Sequence, residues 1–397
     1  MRDLTINQAE AVEKFSRLKV GALFMACGTG KTQAAVSIIN SVEDVGLLYW
    51  LCPCRTKDNL QAELDKCGCR YQARIIGIES IGCSDRIYCE ELELLKKQKR
   101  VFMVCDESIK VKNLKAKRTR RILDLAHYSD YRLILNGTPV TKNIIDIYAQ
   151  MQFLSPKILP YSYLEFRNRY CTYYQVKKGW QIKKTVITGY ANVDHLLSVI
   201  RPYVYQCNLE LKVEKRYHVC HWAMTYEEMD AYKELKERLF DEYQNYEGEI
   251  NMLAVFSKLQ HSYCLSETKF DELEAVMTDR TIVFCKYKAS EAAVRERFPE
   301  AVVLTYGKGA FGLNLQKYNR VIYFDKTFDY SFREQSEGRI YRNGQTLDCE
   351  YYDLTGDVGL ERMIDDCISK KETLVNYFKK MGNKVTKENL KEVLEKL

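Results

Sequence analysis

Residues 20–40, VGALFMACGTGKTQAAVSIIN, decide the fold of this chain. The first six residues are apolar without alternation, as in a strand covered on both faces. The last ten place apolar residues at helical spacing. Between them lies Ala-Cys-Gly-Thr-Gly, a glycine-rich turn from strand to helix, which is the context a phosphate-binding loop requires. Gly28, Thr29 and Gly30 can turn their backbone N–H groups onto phosphate oxygens, and the start of the helix adds a favourable dipole. Lys31 would reach the β- and γ-phosphates of a nucleoside triphosphate, and the Thr32 hydroxyl would bind Mg²⁺. Met25 stands where the full loop signature has its first glycine.

The same alternation continues outward. Strand-like runs are expected at 46–52, 74–78, 101–106 and 131–136, and again at 281–286, 301–306, 320–325 and 349–354, with helical patterns between them. Such repetition predicts an α/β protein with parallel sheets and ligands at the carboxyl ends of the strands. The intervening stretch, about 150–275, is rich in tyrosine and charge. It reads as helices plus one hairpin that turns at Lys178-Gly179. The expected organisation is a first lobe over 1–205 with an insertion from about 150, a helical connector over 206–275, a reduced second lobe over 276–368, and a helical tail over 369–397.

Composition bounds the function. The 397 residues are 46% hydrophobic and 29% charged, with 6 prolines and 19 glycines, which excludes collagen-like and linker-rich chains. No stretch reaches the apolar length of a membrane span, and the opening MRDLTINQAEAVEKF reads as no secretion signal. Fifteen cysteines, an odd number spread through apolar runs, fit free thiols in a reducing cytoplasm. Six of them fall between Cys52 and Cys89, in two C-x-C pairs and two single positions. A zinc site there is the alternative to buried thiols, although zinc knuckles prefer C-x₂₋₄-C. A net charge of +7 permits a polyanionic partner.

A second acidic element should accompany the lysine loop. VFMVCDE ends an apolar run with Asp106 and Glu107. Asp106 is suited to hold Mg²⁺ through water, and Glu107 to polarise the attacking water. Loop and acidic pair together describe nucleoside triphosphate hydrolysis.

With further motifs in order, nearly the whole chain resembles the SWI/SNF-type branch of superfamily 2 helicase-like ATPases. Asp106-Glu-Ser-Ile-Lys-Val-Lys-Asn113 resembles the family's D-E-x-H-x-x-K-N box. Leu135-Asn-Gly-Thr-Pro139 with Asn143 resembles T-G-T-P-x-x-x-N, and residues 147–156, IYAQMQFLSP, the helix that follows it. Ile282-Val-Phe-Cys285 resembles the strand opening the second lobe, and residues 307–315, GKGAFGLNL, the glycine-rich G-x-G-L-N-L motif. Gln335-Ser-Glu-Gly-Arg-Ile-Tyr-Arg-Asn-Gly-Gln345 is similar to Q-x-x-x-R-x-x-R-x-G-Q. The resemblance implies two RecA-like parallel-sheet lobes with ATP and Mg²⁺ in the cleft between them. Gln8 would then read adenine, and Gln335 would belong to the nucleotide site. Arg339 and Arg342, three apart and so expected on one helical face, would stabilise charge on the γ-phosphoryl group when the lobes close.

Three departures stand out. Ile109 occupies the histidine position of the acidic box, Asn136 replaces the usual Ser/Thr before Gly137, and about 20 residues separate Cys285 from Gly307, so that a strand–helix portion is missing.

In this fold class a nucleic-acid strand lies across both lobes, held mainly by its phosphates. Candidate contacts are Arg55 and Thr56, Glu79–Ser80, Lys112 and Asn113, Lys178 and Trp180 in the hairpin, and Asn314. The run Lys110–Arg121 carries seven basic residues in twelve positions and reads either as a phosphate track or as a solvated helix face. The resemblance favours translocation on double-stranded DNA by a monomeric cytoplasmic motor, with a protein partner for targeting. Strand separation on DNA or RNA, and an ATP-dependent binding switch, are the alternatives.

Overall fold

The computed structural model describes residues 4–137, 144–178, 181–244, 251–306, 315–370 and 394. The chain divides into two compact units, Met1–Glu210 and Leu211–Leu397.

In chain order the first unit carries β1 (Val20–Met25), β2 (Leu47–Cys52), β3 (Ala73–Gly77), β4 (Val101–Asp106), β5 (Tyr131–Asn136), β6 (Cys171–Lys178), β7 (Gln181–Tyr190) and β8 (Val204–Cys207). Six of these form a parallel sheet in the order β3-β2-β4-β5-β1-β8. The continuous apolar runs follow from helices on both faces. Ala22, Phe24, Tyr49, Leu51, Met103 and Cys105 enter one core. Their neighbours Leu23, Met25, Leu48, Trp50, Phe102 and Val104 enter the other. Because side chains alternate along a strand, a polar residue at either set of positions would be buried. The acidic pair at the end of β4 therefore emerges only where the sheet stops.

The expected hairpin forms, with β6 and β7 antiparallel from Cys171 opposite Tyr190 to Lys178 opposite Gln181, so that Lys178 is a paired strand residue rather than part of the turn. Gly179 and Trp180 lie outside the described residues.

The second unit carries β9 (Lys215–Trp222), β10 (Thr281–Cys285), β11 (Val302–Thr305), β12 (Arg320–Tyr323) and β13 (Cys349–Gly356), a parallel sheet in the order β11-β10-β12-β13-β9. A single helix, Lys288–Arg297, joins β10 to β11. Here the structure differs from the expected organisation. Residues 206–275 are not a separate connector. Cys207 ends β8 in the first sheet, and β9 is the edge strand of the second, pairing with β13 along its whole length. The helices Tyr226–Gln244, Met252–Ser262 and Glu267–Val276 bury Tyr232, Leu239, Phe256, Leu259, Phe270 and Leu273 in the same core as Val283 and Ile322. An edge strand reading KRYHVCHW, largely exposed, lacks the apolar run that marks the inner strands.

Among the described residues no helix is long and apolar enough to cross a membrane. The helix Gly359–Ser369 ends at the start of the expected tail; of the residues beyond Lys370, only Leu394 is described.

Candidate nucleotide site and nucleic-acid face

The loop between β1 and the helix Lys31–Asn40 turns through two left-handed residues, Gly28 at φ 83° and Gly30 at φ 79°. Gly30 is required twice over, since a Cβ there would also collide with the Gln8 amide. Gln8 is buried against this loop. Its Nε2 donates to the Thr29 carbonyl at 2.9 Å, and its Oε1 accepts the Thr5 N–H at 3.0 Å in a capping box that starts the helix Ile6–Phe15. The amide proposed to read adenine is thus oriented by the phosphate loop itself, and each of its polar atoms retains one further hydrogen-bonding capacity.

Lys31 Nζ donates to the carbonyls of Met25 at 3.0 Å and Ala26 at 3.4 Å, and the Thr29 hydroxyl donates to Ala26 O at 2.7 Å. The ammonium sits over the end of β1 on neutral acceptors, which a triphosphate would outcompete. Thr32 lies half-buried in the first turn of the following helix.

Asp106 is the last residue of β4, two strands from β1 with β5 between them. Burial, and then repulsion from Glu107, raise its carboxyl to about 7, while the charge of Lys31 pulls the other way. Glu107 itself stands at φ 50° and ψ 50°, a left-handed conformation that costs a residue with a Cβ, and its N–H donates to Asp106 Oδ1 at 2.9 Å. This turn swings the chain from β4 into the short helix Ser108–Val111. Hard oxygen donors on Asp106 and Thr32, with an ammonium and a left-handed glycine loop nearby, form a donor set that fits a magnesium–triphosphate.

The candidate nucleic-acid residues separate by role. Arg55 is exposed on the turn Cys54–Thr56, whereas the hydroxyl of buried Thr56 donates to Pro53 O at 2.9 Å and holds that turn. Both oxygens of Glu79 are engaged within the protein, by Cys54 N and Lys110 Nζ. Lys112 pairs with Asp146 at 3.3 Å; Asn113 is exposed and accepts the Lys115 N–H at 3.0 Å. Lys117 and Arg121 both pair with Asp85. Four of the seven basic residues in the run Lys110–Arg121 are therefore paired with carboxylates, two of them sharing Asp85, and Lys115 and Arg120 remain exposed. Lys178 ends β6, while Trp180 and Asn314 lie outside the described residues, as do 138–143 and 307–314.

In the second unit the helix Tyr330–Glu337 carries Gln335 but stops before the arginines, with Gly338 just beyond its end. Arg339 and Arg342 consequently do not share a helical face. They lie in successive turns, with Arg342 N–H on Ile340 O and Gln345 N–H on Arg342 O, each at 3.0 Å. Gln345 braces this segment through Tyr318 O at 2.9 Å and the N–H groups of Thr346 and Leu347. Sequence reasoning missed Arg333. This buried guanidinium binds both oxygens of Asp353, donates to Glu337 Oε1 at 3.0 Å and lies 3.5 Å from the Tyr323 ring centre. Its spacing of four from Glu337 was the available signal. A second missed cluster joins Lys269 to Asp325, and Lys326 to Glu361 and Asp365.

All fifteen cysteines are free thiols, but Cys54, Cys83 and Cys89 are exposed rather than buried. Among the described residues no three His, Cys, Asp or Glu side chains converge as a metal site would require.

The SNF2-related domain family matches residues 21–280. Transcription regulatory protein SNF2 of Saccharomyces cerevisiae is 41% identical over 69 residues, which are 17% of this chain and 4% of that protein. A Drosophila melanogaster SWI/SNF-related matrix-associated actin-dependent regulator of chromatin subfamily A-like protein 1 is 33% identical over 86 residues, 22% of this chain and 11% of the relative. The chain thus matches only a small fraction of the length of these curated relatives. The SWI2/SNF2 ATPase core of Sulfolobus solfataricus, solved in complex with double-stranded DNA, aligns with 99% of this chain and 96% of its own at 21% identity and a TM-score of 0.45. With most of its length matched by that family, the chain belongs to the SNF2-related domain family of superfamily 2 helicase-like ATPases.

Proposed function

We propose that the protein hydrolyses ATP in response to double-stranded DNA and uses the cycle to move along the duplex without separating its strands. The observation that carries this reading is the placement, in one parallel sheet, of the Lys31 loop after β1 and the Asp106–Glu107 end of β4 with only β5 between the two strands. Mg²⁺ held by Thr32 and Asp106 would neutralise charge on the β- and γ-phosphates. Lys31 would bind the triphosphate in place of the Met25 and Ala26 carbonyls. Gln8 would orient the base through the donor and acceptor it keeps. Glu107 would take the proton of the attacking water at its carboxylate. Arg339 and Arg342 of the second unit would complete the site, with DNA favouring the closed state.

Exposed Arg55 and the net charge of +7 support a polyanionic track, and similarity to a SWI/SNF-related regulator of chromatin favours DNA. The test compares ATPase stimulation by single-stranded DNA, duplex DNA and RNA, and then displacement of a triplex-forming strand. Duplex stimulation with ATP-dependent displacement is expected. A rate indifferent to every nucleic acid would overturn the proposal. Stimulation without displacement would point instead to an ATP-dependent binding switch, the reading that Ile109 in the histidine position favours.

A further inference from the structure

The carboxyl ends of β3, β2 and β4 are neighbours in that order, so the loop leaving β2 runs between the other two. Glu79, in the first turn of the helix Ile78–Cys83 directly after β3, reaches across it. Its Oε2 accepts the backbone N–H of Cys54 at 2.9 Å, and its Oε1 accepts Lys110 Nζ at 2.7 Å. Cys54 immediately precedes exposed Arg55. Lys110 belongs to the short helix capped by Glu107, and its own N–H donates to the Glu107 carbonyl at 2.9 Å. One carboxylate therefore spans from the backbone of the residue before a candidate phosphate contact to the turn that carries the general base.

The junction is tightly built. A Cβ on Gly77 would collide with Cys54 Sγ, which also lies 3.3 Å from Ser80 Oγ. Burial alone would push the Glu79 carboxyl up, but the hydrogen bonds from Lys110 and the Cys54 N–H outweigh it and hold the group at about 2. Glu79 thus stays ionised at any pH the protein meets. Both side chains keep about a third of their surface in water, 35% and 39%, so the contact contributes little to stability. Its value lies in position.

We infer that Glu79 and Lys110 form the relay by which a phosphate seated at Arg55 sets the position of Glu107, in the box whose histidine is replaced by Ile109. The inference rests on the reading of the chain as a nucleic-acid-stimulated ATPase. Both are positioning residues, acting through the Cys54 backbone and the turn at Glu107.

The test measures kcat and KM for ATP, with and without duplex DNA, in the full chain carrying Glu79→Gln, Lys110→Met, Lys110→Arg or the exchange Glu79→Lys/Lys110→Glu. The ratio of stimulated to basal turnover is expected to fall about five- to tenfold in the first two, with KM little changed. Lys110→Arg, which keeps the pair, should retain the ratio, and the exchange should recover part of it. An unchanged ratio in Glu79→Gln and Lys110→Met would overturn the relay. So would an equal fall in basal and stimulated turnover, which marks a merely structural contact, or loss of the ratio in Lys110→Arg. A wild-type enzyme that duplex DNA does not stimulate would overturn the functional reading and the relay together, whereas the other failures strike the relay alone.

Discussion

Lys269 Nζ lies 2.8 Å from Asp325 Oδ1, and both side chains are sealed from water inside the second unit. Asp325 also accepts the backbone N–H groups of Lys286 at 3.0 Å and Tyr287 at 3.4 Å, so this carboxylate fastens the end of β12 to the exit of β10. Removing one partner of a buried pair leaves an uncompensated charge, which costs about 3–5 kcal/mol. Lys269→Met should therefore destabilise the second unit by about that amount in urea unfolding followed by Trp222 fluorescence. Adding Asp325→Asn should recover much of the loss, because the orphaned charge goes while an oxygen remains for the two N–H groups. A double variant no better than the single one would show that the charge is not the cause.

Glu107 occupies a left-handed conformation at the very position assigned to the general base. Strain of this kind persists only where the surroundings or the function require it. Glu107→Gln should still bind nucleotide yet lose turnover by about 10²–10⁴-fold. Glu107→Gly should be more stable than Glu107→Ala by about 1 kcal/mol, since only the alanine still places a Cβ at positive φ. Equal stability of the two would mean that the turn relaxes when the carboxylate is removed.

The fold was legible because its inner strands are buried on both faces. The runs ending at Cys52, Asp106 and Asn136 were each read to their last residue. Edge strands carry no such signal, and β9 was absorbed into a supposed connector because Lys215, Arg216 and His221 face solvent. The glycines and lysine of the phosphate loop were readable because phosphate chemistry restricts what can stand there. The basic run was not, because a sequence does not show which lysines have a carboxylate opposite them. Asp85, Asp146 and Glu79 come from other elements. The helical face predicted for Arg339 and Arg342 failed at Gly338, whose neighbours Gln335 and Glu337 favour helix but whose own entropy does not.

Two arginines nine residues apart should behave in opposite ways. Arg333 is buried against Asp353 and Glu337, so Arg333→Ala leaves Asp353 without its cation and Glu337 with Lys215 alone, and should cost about 3–5 kcal/mol of stability. Arg342 lies half-exposed in a turn, and Arg342→Ala should change stability by less than about 0.5 kcal/mol. Its effect should fall on catalysis instead, lowering DNA-stimulated turnover by about 10²-fold or more if it meets the developing charge on the γ-phosphoryl group. Thermal unfolding and single-turnover hydrolysis, measured on both variants, separate the roles. Normal hydrolysis by Arg342→Ala would remove it from the catalytic set.

Lys286 gives the second unit a pH dependence of known sign. Its ammonium donates to Gln260 Oε1 at 2.7 Å and packs over the Phe328 ring, and among the described residues no carboxylate forms an ion pair with it. Burial lowers its pKa to about 7, and the fields of Asp325 and Glu361 only partly oppose this. The unfolded chain keeps the ordinary lysine value, so between pH 7 and about 10 it binds more protons than the folded chain. Stability attributable to this group must then rise with pH across that window, and the full penalty for burying the charge applies below it. Buried thiols such as Cys285, whose folded values are raised, act in the opposite direction above about pH 9. The comparison therefore belongs between pH 7 and 9, as wild type minus Lys286→Met. The wild type should gain stability over that interval while the variant changes little. A difference that stays constant would show that the Lys286 ammonium remains charged in the folded protein and that Gln260 and Phe328 suffice to keep it so.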